Sequence, residues 1–165
     1  MNFEDLEPGK WHPLPPTGTE PDDHDGDHLP ERVESRGRSR ALQALYAWDM
    51  RGGDLTAVAT RIWDDLAVAP EERMLAGRLV KRLADDGEAL DREITAVTNN
   101  WRLERLGAVE RSVLRLAAAE LSMDSTPPRV VIQECVRLAE RFGSGKSARF
   151  VNGVVDALAR RMGRL

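Results

Sequence analysis

The run PPRVVIQECVRLAERFGSGKSARFVNGVVDALARRM, Pro127 to Met162, decides the fold. It reads as two amphipathic helices joined by a Gly-Ser turn. At about 100° per residue, Val151, Val154, Val155, Leu158, Ala159 and Met162 fall in one arc about 140° wide. Phe150 lies roughly 100° from the centre of that arc, beside Lys146, Arg149 and Gly153. An aromatic ring among cations can stack a nucleobase and hold its phosphate, and the same ring at helical spacing can equally be core.

Working upstream, Ala108 to Met123 repeats the helical spacing, with Val109, Val113 and Leu116 facing one way and Glu120 inside that same face. A carboxylate among apolar neighbours needs partners, and the free N–H groups opening the helix after Pro128 are the expected ones. Glu120 reads as structural, because no second acid or base accompanies it. This second half opens at Asn99-Asn100-Trp101 and a short turn over Leu103 to Leu106.

The first half predicts three helices. In ESRGRSRALQALYAWDM (34–50), Ala41, Leu45 and Trp48 make an apolar side, and Arg36, Arg40, Gln43 and Ala47 lie on another. An arginine-bearing helix start suits a phosphate backbone, since guanidinium forks match phosphate oxygens; the alternative is a solvated first turn. Gly52-Gly53 stops the helix, and Asp54 caps the next, Leu55 to about Val68. Pro70 opens a long helix to about Thr98 with Met74, Leu75, Leu79, Val80, Leu83, Leu90, Ile94 and Val97 as apolar positions, carrying on through Gly87.

Residues 1–34 differ in kind. They hold Pro8, Pro13, Pro15, Pro16, Pro21 and Pro30 and ten acids against Lys10 and Arg32, a charge of −8 that leaves +4 for the rest of the 165-residue chain. With no helical or alternating period, this acidic tail is expected to be disordered. All three histidines (His12, His24, His28) lie in it, within or near DDHDGDH, which could hold a metal loosely but reads first as a solvated tether. The body has no histidine, which argues against a buried histidine base or zinc site.

Other chemistries fall away on spacing. Gly145-Lys146-Ser147 resembles the end of a phosphate-binding P-loop, but the first glycine of GxxxxGK[ST] would stand at Glu140, and the segment follows a helix instead of a strand. Cys135, the single cysteine, occupies an apolar helical position and reads as a buried, inert thiol. No run of about 18 apolar residues and no export signal core occurs, so a cytoplasmic protein without cofactor or metal is expected.

RALQALYAWD (40–49), WRLERLGAVERSVLRLAAAEL (101–121) and VVIQECVRLAERFGSGKSARFVNGVVD (130–156) together resemble the NusB transcription antitermination family over roughly residues 36–162. The resemblance implies an all-α fold of two packed three-helix bundles, here residues 35–98 and 99–165 behind the tail. It implies a non-enzymatic protein that binds the boxA element of ribosomal RNA leader transcripts together with NusE, a small-subunit ribosomal protein, in an antitermination complex on RNA polymerase. The arm arginines of the family fall on Arg36 and Arg38, with Arg40 a further cation nearby. Phe150 matches the aromatic of the FVNG motif at the RNA surface, Lys146 and Ser147 occupy the loop before it, and Arg149 stands beside it. Tyr46 and Glu110 match positions on the NusE-facing side, both expected on exposed helix faces. The chain departs from the pattern at Glu34 and Ser35, where arginine is common, and at Lys146, where an acid is common.

Two other readings stand beside this one. A NusB-like domain also accompanies some ribosomal RNA methyltransferases; in that case the catalytic α/β domain is expected on a separate polypeptide, since 165 residues leave no room for it. The third is a helical scaffold or homodimer whose interface hides the arginine face.

Overall fold

The computed structural model describes residues 31–99 and 101–165. Among these residues six α-helices follow one another: α1 (Val33–Arg51), α2 (Leu55–Asp65), α3 (Pro70–Val97), α4 (Ala108–Met123), α5 (Pro128–Phe142) and α6 (Gly145–Arg161), with a 3-10 turn at Leu103–Arg105 before α4. Among the described residues there is no strand. The fold is therefore all-α, with α1–α3 and α4–α6 as two three-helix bundles packed on each other. Val33 and Glu34 already belong to α1, so the helix begins two residues before the boundary read from composition. Of the tail read over residues 1–34, residues 1–30 lie outside the described residues.

Helix ends follow the local chemistry. Gly52 and Gly53 adopt φ of 71° and 91°, values that side-chain-bearing residues rarely take, and the Gly52 N–H closes α1 on the Trp48 carbonyl at 2.7 Å. The Asp54 carboxylate accepts from the Ala57 N–H at 2.8 Å and starts α2. α2 ends at Asp65, short of Val68, where Ala67 turns to φ 50°. Ser144 and Ser147 form a reciprocal capping box at the start of α6, each side chain serving the other's backbone N–H.

α1 and α4 form the centre. α1 packs against α2, α3 and α4, and α4 against α1, α3, α5 and α6. One continuous apolar cluster draws on all six helices, with Leu45, Leu79, Ile94, Leu114, Leu116, Leu121 and Leu158 fully enclosed. Gly37 is where α1 meets α3 most closely: a Cβ there would stand 3.0 Å from the Glu72 carbonyl oxygen and 3.4 Å from the Leu75 Cβ.

Two details of α3 differ from the expectation. It does run through Gly87, but Asp86 takes φ −123° and ψ 17°, so the helix kinks there; a Gly-adjacent acid that pairs with Arg82 at 3.2 Å can leave helical geometry at low cost. Met74 is 72% exposed and does not belong to the core, because the apolar stripe is already completed by Ala76 and Leu79.

Candidate nucleic-acid interface

The arm arginines do not face solvent. Arg38 is 5% exposed, and its Nε and Nη2 reach the Glu120 carboxylate at 2.9 and 2.5 Å, with Glu134 at 3.6 Å. Burial alone works to lower the Arg38 pKa, but the hydrogen bonds and charge of Glu120, helped by Glu134, outweigh it and leave it raised. The guanidinium is thus a permanent cation locked to α4. Thr126 Oγ1 donates to the same carboxylate at 2.9 Å. The expected partners of Glu120, the first N–H groups of α5, are replaced by a guanidinium 82 residues upstream, which alone supplies both charge and a two-pronged donor.

Arg40, 2% exposed, donates to Glu72 Oε2 at 3.0 Å and to Gln43 Oε1 at 3.2 Å, while Arg36 reaches Glu72 Oε1 at 2.8 Å from a side chain 36% exposed. The arm is therefore corrected: Arg38 and Arg40 are interior residues, and Arg36 keeps one side to solvent. Helical spacing marked their face as polar, and carboxylates from α3 and α4 cover it.

The opening turns of α6 present a different picture. Lys146 and Arg149 are exposed, and Phe150 is half-buried, packed in part on the apolar cluster. Ser147 is buried; its hydroxyl serves the capping box and donates to Glu110 Oε1, so it supports the loop from beneath. Glu110 itself is half-buried, and its carboxylate folds back over Gly107, occupying the space a side chain there would need. Tyr46 is 6% exposed, and burial, with Asp49 nearby, raises its hydroxyl pKa. The expectation that Tyr46 and Glu110 lie on exposed faces is corrected for both: α1 is enclosed on all sides at this level, and Glu110 is tied to Ser147.

Two cations were missed by the sequence reading. Arg137 and Arg141 lie one helical turn apart on α5, outside its apolar face, and both remain over two-fifths exposed. Their spacing could have revealed them, since Val131, Cys135, Leu138 and Phe142 define the buried face that they avoid. The Arg141 guanidinium lies 5.2 Å from the Phe142 ring centre, and a two-residue turn separates this end of α5 from α6. Glu31 bridges the pair, accepting from Arg137 and from Arg141 Nη1 at 3.5 Å. Cys135, on the opposite face, is buried, and burial pushes its thiol pKa up, as expected of an inert core cysteine.

The described residues hold no group of three or more His, Cys, Asp or Glu side chains that could ligate a metal, and no helix among them is long and apolar enough to cross a membrane. Lys146 and Arg149 of α6, Arg137 and Arg141 of α5 and part of the Phe150 ring remain open to solvent. That is the chemistry of phosphate contact with base stacking.

Known proteins share the sequence pattern and the fold. Residues 35–160 match the NusB family model. The chain is 42% identical over 134 residues to the transcription antitermination protein NusB of Sorangium cellulosum (strain So ce56), covering 81% of this chain and 96% of that protein. It is 43% identical over 126 residues to NusB of Anaeromyxobacter dehalogenans (strain 2CP-1 / ATCC BAA-258), covering 76% and 89%. A crystal structure of antitermination factors NusB and NusE in complex with dsRNA contains a chain of the same fold, at TM-score 0.73 and 29% identity, covering 80% of this chain and 99% of that one. With the family model spanning both bundles and these relatives matched along nearly their whole length, this chain belongs to the NusB family.

Proposed function

We propose that this protein is a transcription antitermination factor that binds boxA-containing RNA of ribosomal RNA leader transcripts jointly with NusE, within an antitermination complex on RNA polymerase. The observation that carries the reading is the family match over residues 35–160, at a fold shared with a chain of a NusB–NusE–RNA structure. Its mechanism is assembly without a chemical step. Lys146 and Arg149 hold phosphate, Phe150 stacks a base, and Arg36 adds the one arm guanidinium with open surface. Arg38, Arg40 and Ser147 act beneath that surface, by fixing α1 and the α6 loop. NusE binds on the side of Glu110, and Tyr46 shapes that side from within. The hydrogen bond from Ser147 to Glu110 joins the two regions, so each ligand favours the binding of the other.

The test is reconstitution of the full chain with NusE and boxA RNA in one complex, followed by Phe150→Leu. Leucine keeps most of the inner packing, so stability should change by less than about 1.5 kcal/mol. RNA affinity should fall by about 1 to 3 kcal/mol if the ring stacks on a base. Wild-type affinity in the folded variant would remove Phe150 from the interface. Failure of the wild-type chain to join NusE and RNA would overturn the functional reading itself.

A further inference from the structure

Among the described residues, the arginine pair on α5 is a charged surface already holding a carboxylate. Arg137 and Arg141 project from successive turns, their side chains 45% and 41% exposed, and both contact Glu31, the first described residue of the chain. Arg137 Nη1 also donates to Ser35 Oγ at 3.4 Å and lies 3.8 Å from Glu134, so its position is set from α1 and α5 together. Glu31 is the end of a segment of unusual charge. Asp22, Asp23, Asp25 and Asp27 precede it within nine residues, and residues 1–34 carry −8 in all. An extended chain spans at most about 3.3 to 3.6 Å per residue, so the nine residues before Glu31, from Asp22 on, are long enough to reach roughly 30 Å from Glu31.

We propose that Arg137 and Arg141 form a phosphate-binding row for RNA, which the chain's own acidic N-terminal segment, seated there through Glu31, occupies in the free protein. The RNA half of this inference rests on the function proposed above. The argument for the occupant is charge complementarity together with continuity: the segment's last residue already sits on the row. Carboxylate and phosphate oxygens satisfy the same guanidinium forks, so the two ligands exclude each other. A tethered segment competes at an effective concentration of order millimolar, although each exposed contact is weak. Affinity for RNA is cut by the fraction of molecules whose row is free. A segment docked half to nine-tenths of the time lowers it about two- to tenfold. The Debye length shrinks from about 8 Å at physiological salt to about 3 Å at 1 M, so the effect fades as salt rises.

Docking is read without RNA. In the full chain, a nitroxide on Gly26→Cys labels one site, since Cys135 is buried and its thiol pKa pushed up. Amide signals along Arg137 to Gly143 should broaden at low salt and recover at high salt, and an Arg137→Glu/Arg141→Glu chain of unchanged helicity should show no broadening. Sharp signals at low salt in the labelled wild-type chain would overturn the docking. Competition is read by titrating boxA RNA into the wild-type chain and into one carrying Asp22→Asn, Asp23→Asn, Asp25→Asn, Asp27→Asn and Glu31→Gln. The neutralised chain should bind about two- to tenfold tighter at low salt, the two converging at high salt. Equal affinities at low salt would overturn the competition. If neither chain binds RNA, the functional reading and the competition fall together, and the broadening still decides the docking.

Discussion

Arg38 and Glu120 show how much one buried pair can carry. Both are nearly inaccessible, and the guanidinium meets the carboxylate through two nitrogens. Removing one partner leaves a charge in a low-dielectric interior, which typically costs about 3 to 5 kcal/mol, whereas replacing both with apolar residues of similar volume is often nearly neutral. Arg38→Met should therefore lower the midpoint of urea unfolding sharply, and Arg38→Met/Glu120→Leu should recover most of the loss. A double variant as unstable as the single one would show that Thr126 and Glu134, which also lean on this pair, dominate instead. The same burial keeps the Arg38 guanidinium off the surface: freeing it would leave Glu120 to the identical penalty.

At the scale of the element, two glycines in helical segments have opposite meanings. Gly87 follows the kink at Asp86, and a Cβ there would meet nothing within 4 Å; Gly37 would bring its Cβ to 3.0 Å from a backbone oxygen of α3. Gly87→Ala should stabilise the protein by about 0.5 to 1 kcal/mol, by limiting the freedom of the unfolded chain. Gly37→Ala should destabilise it, because α1 and α3 would have to separate. Thermal unfolding of the two variants checks both signs, and destabilisation by Gly87→Ala would mean that the kink requires glycine. Much at this scale was legible in the residues: the glycine stop of α1, the Asp54 cap, Pro70 at the head of α3 and the apolar face of α6 all rest on interactions within a few residues. The kink was not, because the apolar spacing of α3 continues across it.

Across the whole molecule, the bundles are joined by polar ties as well as by the shared core. Asp49 of α1 accepts from Arg111 at 2.5 and 2.9 Å and from Arg115 at 3.3 Å, and Arg115 also reaches Asp91 of α3 at 3.1 Å while lying 5.4 Å from the Trp48 ring centre. The hydrogen bonds and charge of Asp49 raise the Arg111 pKa. With α1 and α4 packed together in one apolar cluster, urea unfolding should be a single transition. In a chain carrying Trp11→Phe and Trp101→Phe, far-UV circular dichroism, which sees the helices of both bundles, should coincide with the fluorescence of Trp48 and Trp63 in the first bundle. Separate midpoints would show that residues 35–98 and 99–165 unfold as independent domains.

The residues alone were enough for the helices, the glycine stop of α1, the Asp54 cap, the all-α class, the burial of Cys135 and, through three motif segments, the family. Each of these depends on periodicity or on neighbours close along the chain. What covers the arm arginines depends on the packing of distant helices. Helical spacing places Arg36, Arg38 and Arg40 on faces of α1 but carries no information on what covers those faces. Glu72 and Glu120 stand 32 and 82 residues from the arginines they bind, so packing converted the expected RNA arm largely into interior ion pairs. Spacing alone sets Arg137 and Arg141 off the apolar face of α5, but only the fold lays Glu31, more than a hundred residues earlier in the chain, across them. Ion pairs over such separations depend on how helices stack, and no local pattern in the chain encodes that.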